Sequence, residues 1–245
     1  MKYRVAIAKR PDGSADAWVA DLPGCRAAAG SVSGAMELLP VVVGEHLAWL
    51  AGYGEPVDPA APFEPEMVEE TEARGEFTFA FDREAMSRDE METAIRHAGY
   101  AHADLMNRLA GLPDVVLDWV PPASSVKIDA IFPDVRSIRM MLEHLTTVQA
   151  NYYIGSLSVP PADPRSPTLA ELQETSAARL RALSDEALGR LYKRVNQRSG
   201  AEMEWTARKV MRRIIGHTRF HTKEIEQRVS WLALGVPEVL PQNRE

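Results

Sequence analysis

The spacing of apolar residues changes once along this chain, and that change decides what it can fold into. Up to about residue 82, large apolar side chains alternate with small or polar ones; from Ser87 onward they recur every three or four residues. The helical spacing comes in four runs separated by Pro-rich crossings. Alternation suits a pleated strand with a buried face, whereas a 3.6-residue repeat suits a helix with one apolar stripe. The expectation is an α+β N-terminal domain over residues 1–82, a small antiparallel sheet plus a helix. An all-α antiparallel four-helix bundle is expected over residues 83–245.

In the first part Tyr3, Val5 and Ile7 alternate with Arg4, Ala6 and Ala8, followed by the turn residues Pro11, Asp12 and Gly13. A second strand is expected around Ala17 to Ala20 and a third over Ala27 to Ala29. Ser31 or Ser33 can cap a helix whose Met36, Leu39, Val43, Leu47 and Leu50 share one face. Pro40 inside that run costs about 3 kcal/mol in a helix interior, so a kink or break is expected there. Residues 54–75 are dominated by Pro and Glu and read as a linker. Phe77, Phe79 and Phe81 then alternate with Thr78 and Ala80, predicting a strand that returns to the sheet.

Ser87 with Glu90 forms a capping box that opens the first bundle helix, carrying Met91, Ile95, Ala98, His102, Leu105 and Leu109. The second is predicted from about Asp134 to Tyr152, with Ile138, Met141, Leu145 and Val148 on its stripe. Thr168 with Glu171 repeats the capping box for the third, interrupted near Ser184-Asp185. The fourth is predicted from about Ala201 to Leu234.

A net charge of -7 argues against a protein built to grip a phosphate backbone, so nucleic acid is not an expected partner. The single cysteine, Cys25, excludes an internal disulfide framework and a Cys-rich zinc site, and reads as a small structural residue. The start MKYRVAIAKR lacks the pattern of a secretory signal, and no stretch approaches the roughly 18–20 uncharged residues of a membrane span. A cytoplasmic location is expected.

Candidate chemistry lies in the histidines. His217 and His221 are four residues apart, one turn above each other, and continue the inward stripe of Ile214, Ile225 and Val229. Two imidazoles buried there need partners, and a metal ion is a common one. His144, beside Met141, Leu145 and Val148, can supply a third ligand from a facing helix. Three neutral imidazoles suit a divalent transition metal such as zinc, nickel, copper or iron rather than magnesium or calcium, and leave positions open for water or substrate. The alternative is a set of core histidines, each hydrogen-bonded to a neighbour. Thr218 stands where the H-E-x-x-H motif needs its glutamate, which excludes zincin-type peptide hydrolysis.

Glu143 and Glu224 lie close enough in sequence to orient an imidazole or act as base, with solvent-facing charges as the alternative reading. His97 and His102 read as core or rim residues of the first bundle helix, and His46 as a surface residue. Arg208, Lys209, Arg212, Arg213, Arg219 and Lys223 are expected on outer faces of the last helix, paired with the acidic first and third helices.

The stretch from Trp205 through His217 and His221 to Ile225, together with Leu142-Glu-His144-Leu145, resembles the DinB superfamily. The resemblance implies a metal-binding four-helix bundle with a three-histidine site for His144, His217 and His221, commonly holding zinc or nickel, and often a homodimer. Some relatives are thiol-dependent transferases or isomerases, in which a small thiol is activated as thiolate. The N-terminal unit, with Tyr3-Arg-Val-Ala-Ile, Asp21-Leu-Pro-Gly-Cys25 and Trp49-Leu50, is similar to the HicB-like antitoxin domain. That likeness implies a protein partner and offers a second reading, a regulatory module whose bundle dimerises or senses metal. Pro40 and the missing DNA-binding motif depart from the HicB pattern.

Overall fold

The computed structural model describes residues 2–73, 75–120, 137–160, 167–195 and 200–234. Strand β1 (Lys2–Lys9) turns into β2 (Ala15–Val19) and then β3 (Arg26–Ala29), which leads into helix α1 (Val32–Gly52). Strand β4 (Glu64–Glu72) follows and lies parallel to β1, giving a mixed sheet in the order β3-β2-β1-β4. The antiparallel sheet expected from sequence is thereby corrected. The Pro/Glu-rich segment read as linker contributes the fourth strand.

β4 forms although its side chains are almost all exposed, because its backbone pairs with the open edge of β1 from Lys2↔Glu64 to Lys9↔Glu72, with a bulge after Val5. Unpaired backbone groups beside a core are costly, so a polar strand is held mainly by its main chain, with Glu69 Oε2 also accepting from Ala80 N at 2.6 Å. Its glutamates leave a charged outer edge, which discourages further strand pairing.

Strands β1 and β2 are buried on both faces. Tyr3, Val5 and Ile7 pack with Leu39, Val43, Leu47 and Leu50 of α1, while Ala6 and Ala8 lie under Trp18, Phe79 and Phe81. Small alanines on the second face leave room for those rings. α1 is capped by Ser31 Oγ, which accepts from Gly34 N at 3.1 Å. It runs unbroken through Pro40, so the expected break is absent; the ring lies on the exposed side. Contrary to the sequence expectation, α1 is long and apolar enough to cross a membrane by length and composition. Its buried stripe is nevertheless a core contact with the sheet.

The Phe77–Phe81 segment is not a strand: it is irregular and ends in a 3-10 turn over Phe81–Arg83. Its alternation arises because the three phenyl rings gather around the Arg212 guanidinium, 5.8, 5.3 and 5.7 Å from the ring centres.

The rest of the described chain is mostly helical. α2 (Arg88–Leu109) carries the expected capping box, Ser87 N donating to Glu90 Oε2 at 2.7 Å and Glu90 N to Ser87 Oγ at 3.2 Å. A short α3 (Asp114–Leu117) precedes α4 (Ile138–Thr147). The expected start of α4 near Asp134 and much of the crossings at 119–122 and 160–167 fall outside the described residues. α4 continues into a π-helical turn over Val148–Tyr153 and a 3-10 turn over Ile154–Leu157. The second capping box, Thr168 with Glu171, opens α5 (Leu169–Arg181), and α6 (Asp185–Leu188) follows the interruption at Ser184.

A hairpin of β5 (Tyr192–Val195) and β6 (Glu202–Trp205), unforeseen from sequence, leads into α7 (Ala207–Leu234). α7 therefore begins six residues later than expected, at a cap where Thr206 Oγ1 accepts from Lys209 N at 3.1 Å. α2 packs on α7 and α5, and α4 packs on the same two helices. Two apolar clusters result, one holding Met91, Ile95, Leu180, Ile214 and Ile215, the other Leu105, Met141, Leu145, Leu172 and Ile225.

Candidate metal centre

Between Ile215 of the first apolar cluster and Ile225 of the second, α7 turns two imidazoles inward. The helical repeat places His217 and His221 one turn apart, and their Nε2 atoms stand 2.9 Å from each other. α4, packed alongside, brings His144 Nε2 to 3.2 Å from His217 Nε2. The ring centres lie 4.4, 5.1 and 5.4 Å apart. Among the described residues these three form the group whose ligand atoms, all within 4.8 Å of one another, could hold a metal ion.

The proton inventory shows what the cluster lacks. Glu224, one turn along α7, sits with Oε2 at 2.7 Å from His221 Nδ1, so that nitrogen carries the proton donated to the carboxylate. In the neutral form of the ring, His221 Nε2 is then a lone pair. His217 Nε2 faces both His221 and His144 and has one proton at most to offer them in its neutral form. Burial holds His217 well below the ordinary histidine range, reinforced by the neighbouring His221 and His144 rings and the positive charges of Arg213 and Arg26. The ring therefore stays neutral at physiological pH, the form that ligates metals. Around a tetrahedral zinc with bonds of about 2.0–2.1 Å, ligand nitrogens stand about 3.3 Å apart, within a few tenths of the spacings seen here.

The surroundings are aromatic and cationic. Tyr153 meets the His217 ring edge-on at 5.6 Å, and Phe220 meets His221 at 5.4 Å. Arg213 lies 5.8 Å from the centre of the Tyr153 ring, with its Nη2 bonded to Glu76 at 2.6 Å. The loop between β2 and β3 closes one side: Gly24, at φ +85°, lies so close to α7 that an added Cβ would stand 2.7 Å from Ile215 Cγ2. Glycine is required there by the positive φ and by the approach.

Other expected residues sort themselves differently. Glu224 touches His221, whereas Glu143 is exposed. His46 is buried, not on the surface as expected, because α1 turns it toward α7, where an Arg219 N–H donates to its Nδ1. His97 is buried with Nε2 3.4 Å from Glu55, and His102 is half-buried; burial lowers both. Cys25 is buried and its thiol pushed up to about 12, so it holds its proton and is inert.

The cations of α7 are corrected more sharply. Lys209 and Arg212 are buried, not on outer faces, and reach the Glu76–Asp82 segment. Arg212 binds Asp82 through two hydrogen bonds of 2.9 and 2.6 Å. Burial lowers Lys209 to about 8 against the pull of Glu76. Arg219 lies 4.0 Å from the centre of the Trp49 ring of α1. Arg208 does pair with the first bundle helix, at Glu90, while Lys223 pairs with Glu45 of α1.

Sequence reasoning missed Tyr153 and Arg26. The π turn inserts one residue into the repeat and moves the buried position from Tyr152 to Tyr153; no local pattern announces such a turn. Arg26 arrives from the other end of the chain through the docked loop.

No curated protein and no solved structure matches the chain. The DinB superfamily matches residues 97–225, more than half of the 245, from within α2 to within α7 and including all three histidines. The chain belongs to the DinB superfamily.

Proposed function

We propose that this protein binds one divalent transition-metal ion, zinc or nickel, through His144, His217 and His221. In this reading α2, α4, α5 and α7 make the antiparallel four-helix bundle that holds it. The observation that carries the reading is the convergence of three Nε2 atoms with a carboxylate behind one of them. A cluster of neutral imidazoles short of protons is stable when a cation takes the lone pairs.

A bound ion of this kind supplies Lewis acidity, lowering the pKa of a water or thiol at its open position. The residues around it do the rest. Glu224 fixes the His221 tautomer and ring orientation. Tyr153, buried against His217, narrows the space beside the ligands and limits water there. The proposed activity is metal-dependent transfer or isomerisation of a small molecule, with a thiol as co-substrate, in the cytoplasm.

Elemental analysis of protein purified without chelator tests the metal. The expected result is close to one zinc or nickel per chain, falling to background in His217→Ala while the fold is retained by circular dichroism. Metal-free protein whose unfolding midpoint does not move when zinc or nickel is added would overturn the proposal.

A further inference from the structure

Where α2 and α5 pack together they leave an open groove of about 600 Å³, and none of the three clustered histidines lines it. Ile95, Gly99 and His102 line it from α2, at spacings of four and three, and Gln173, Glu174 and Ala177 line it from α5. Ile95 and Ala177 are buried and give it an apolar base. Gly99 keeps it open: an added Cβ would stand 3.5 Å from Gln173 Nε2, so a longer side chain would reach across to α5. Glycine in a helix interior is destabilising relative to alanine, and what this one provides is room.

The polar groups along the groove divide into engaged and unengaged. Arg181 binds both oxygens of Glu92 at 2.9–3.1 Å, and Arg96 binds both oxygens of Glu55 at 2.7 and 3.3 Å, so neither guanidinium brings a free positive charge. The Gln173 amide donates to the Ile95 carbonyl at 3.2 Å, which leaves its own carbonyl oxygen as an acceptor. Among the described residues, no hydrogen bond or ion pair engages the Glu174 carboxylate or the half-buried His102 ring. The groove therefore offers an apolar base, spare acceptors and one uncompensated negative charge. We infer that it binds a small organic cation, an ammonium whose apolar body rests on Ile95, Gly99 and Ala177 while its N–H groups donate to Glu174 and Gln173. An anion would meet Glu174 with the wrong sign, and a neutral ligand would leave its charge unanswered. This is a second ligand site, made by α2 and α5 and independent of the metal reading.

The test titrates the full chain at neutral pH with phenethylamine, 2-phenylethanol and 3-phenylpropionate, which share one apolar body and differ in charge. Backbone amide shifts in NMR spectra read both affinity and place. The amine is expected to bind about fivefold tighter than the alcohol, a preference limited by the exposure of Glu174 and shrinking as salt is raised, with the carboxylate weakest. Shifts are expected to centre on Gly99 and Ala177. In Glu174→Gln the amine and the alcohol are expected to bind within about twofold of each other. Gly99→Leu, a better helix former, is expected to keep the fold by circular dichroism and to lose all three ligands. No binding in the natural protein, no preference for the amine, an equal preference in Glu174→Gln, or shifts centred on His217 overturns the inference. A dimer in light scattering that Gly99→Leu dissociates would assign the groove to a second copy of the chain and overturn it as well.

Discussion

At the scale of single residues, the arrangement turns on where protons sit. Glu224 accepts from His221 Nδ1 at 2.7 Å, which removes one of two tautomers and points Nε2 at its neighbours. Outer carboxylates of this kind tune metal affinity by about 10–100-fold. Glu224→Gln keeps the shape and loses the charge, so zinc affinity measured by competition with a chromophoric chelator is expected to fall about tenfold. An unchanged affinity would mean that the carboxylate is only a surface partner of the helix. That His217 and His221 face inward together was legible in the sequence, because an i, i+4 pair on an inward stripe is a local property of one helix. Glu224 was legible only as a neighbour, and Tyr153 and Arg26 not at all.

At the scale of elements, the same division recurs. Both capping boxes were readable from Ser87 with Glu90 and Thr168 with Glu171, since each is a reciprocal contact three residues long. β4 was not, because a strand held mainly by its backbone leaves no alternation in its side chains. The Phe77–Phe81 segment misled in the opposite sense, its alternation serving a cation and not a ladder. α1 tests how much local preference yields to packing. Pro40 has no N–H to offer the carbonyl of Met36, yet the helix is carried through by the burial of Leu39, Val43 and Leu47 on the sheet. Pro40→Ala restores the missing bond on an exposed face and is expected to stabilise the protein by about 1–3 kcal/mol in urea denaturation. No gain would show that the helix bends enough to satisfy the carbonyl with water.

At the scale of the whole molecule, the N-terminal part and the later helices are joined by buried and half-buried polar contacts. Arg212 bonds Asp82, Arg219 bonds His46, and Trp49 Nε1 and Tyr53 Oη donate to Asp104 at 2.7 and 2.6 Å. Gly24 also approaches Ile215 and Gly216 of α7 closely. Gly24→Ala meets both a left-handed φ, worth about 1–2 kcal/mol against an L side chain, and the α7 backbone, so it is expected to lower stability by more than that strain alone. Gly30→Ala, where an added methyl meets nothing within 4 Å, is the matched control and is expected to be near neutral in the same denaturation series. Equal effects at the two positions would refute the account of the joint.

The sequence distance between the clustered histidines carries one more consequence. His144 and His217 are 73 residues apart, and the lone buried Cys25 gives the chain no internal disulfide. An ion held by both histidines would act as a cross-link closing that loop, restricting the unfolded chain by an amount comparable to a disulfide over the same span, about 4 kcal/mol. Such a staple would be indifferent to reductants and removable by chelators, tying the persistence of the fold to the metal supply of its surroundings and not to their redox state.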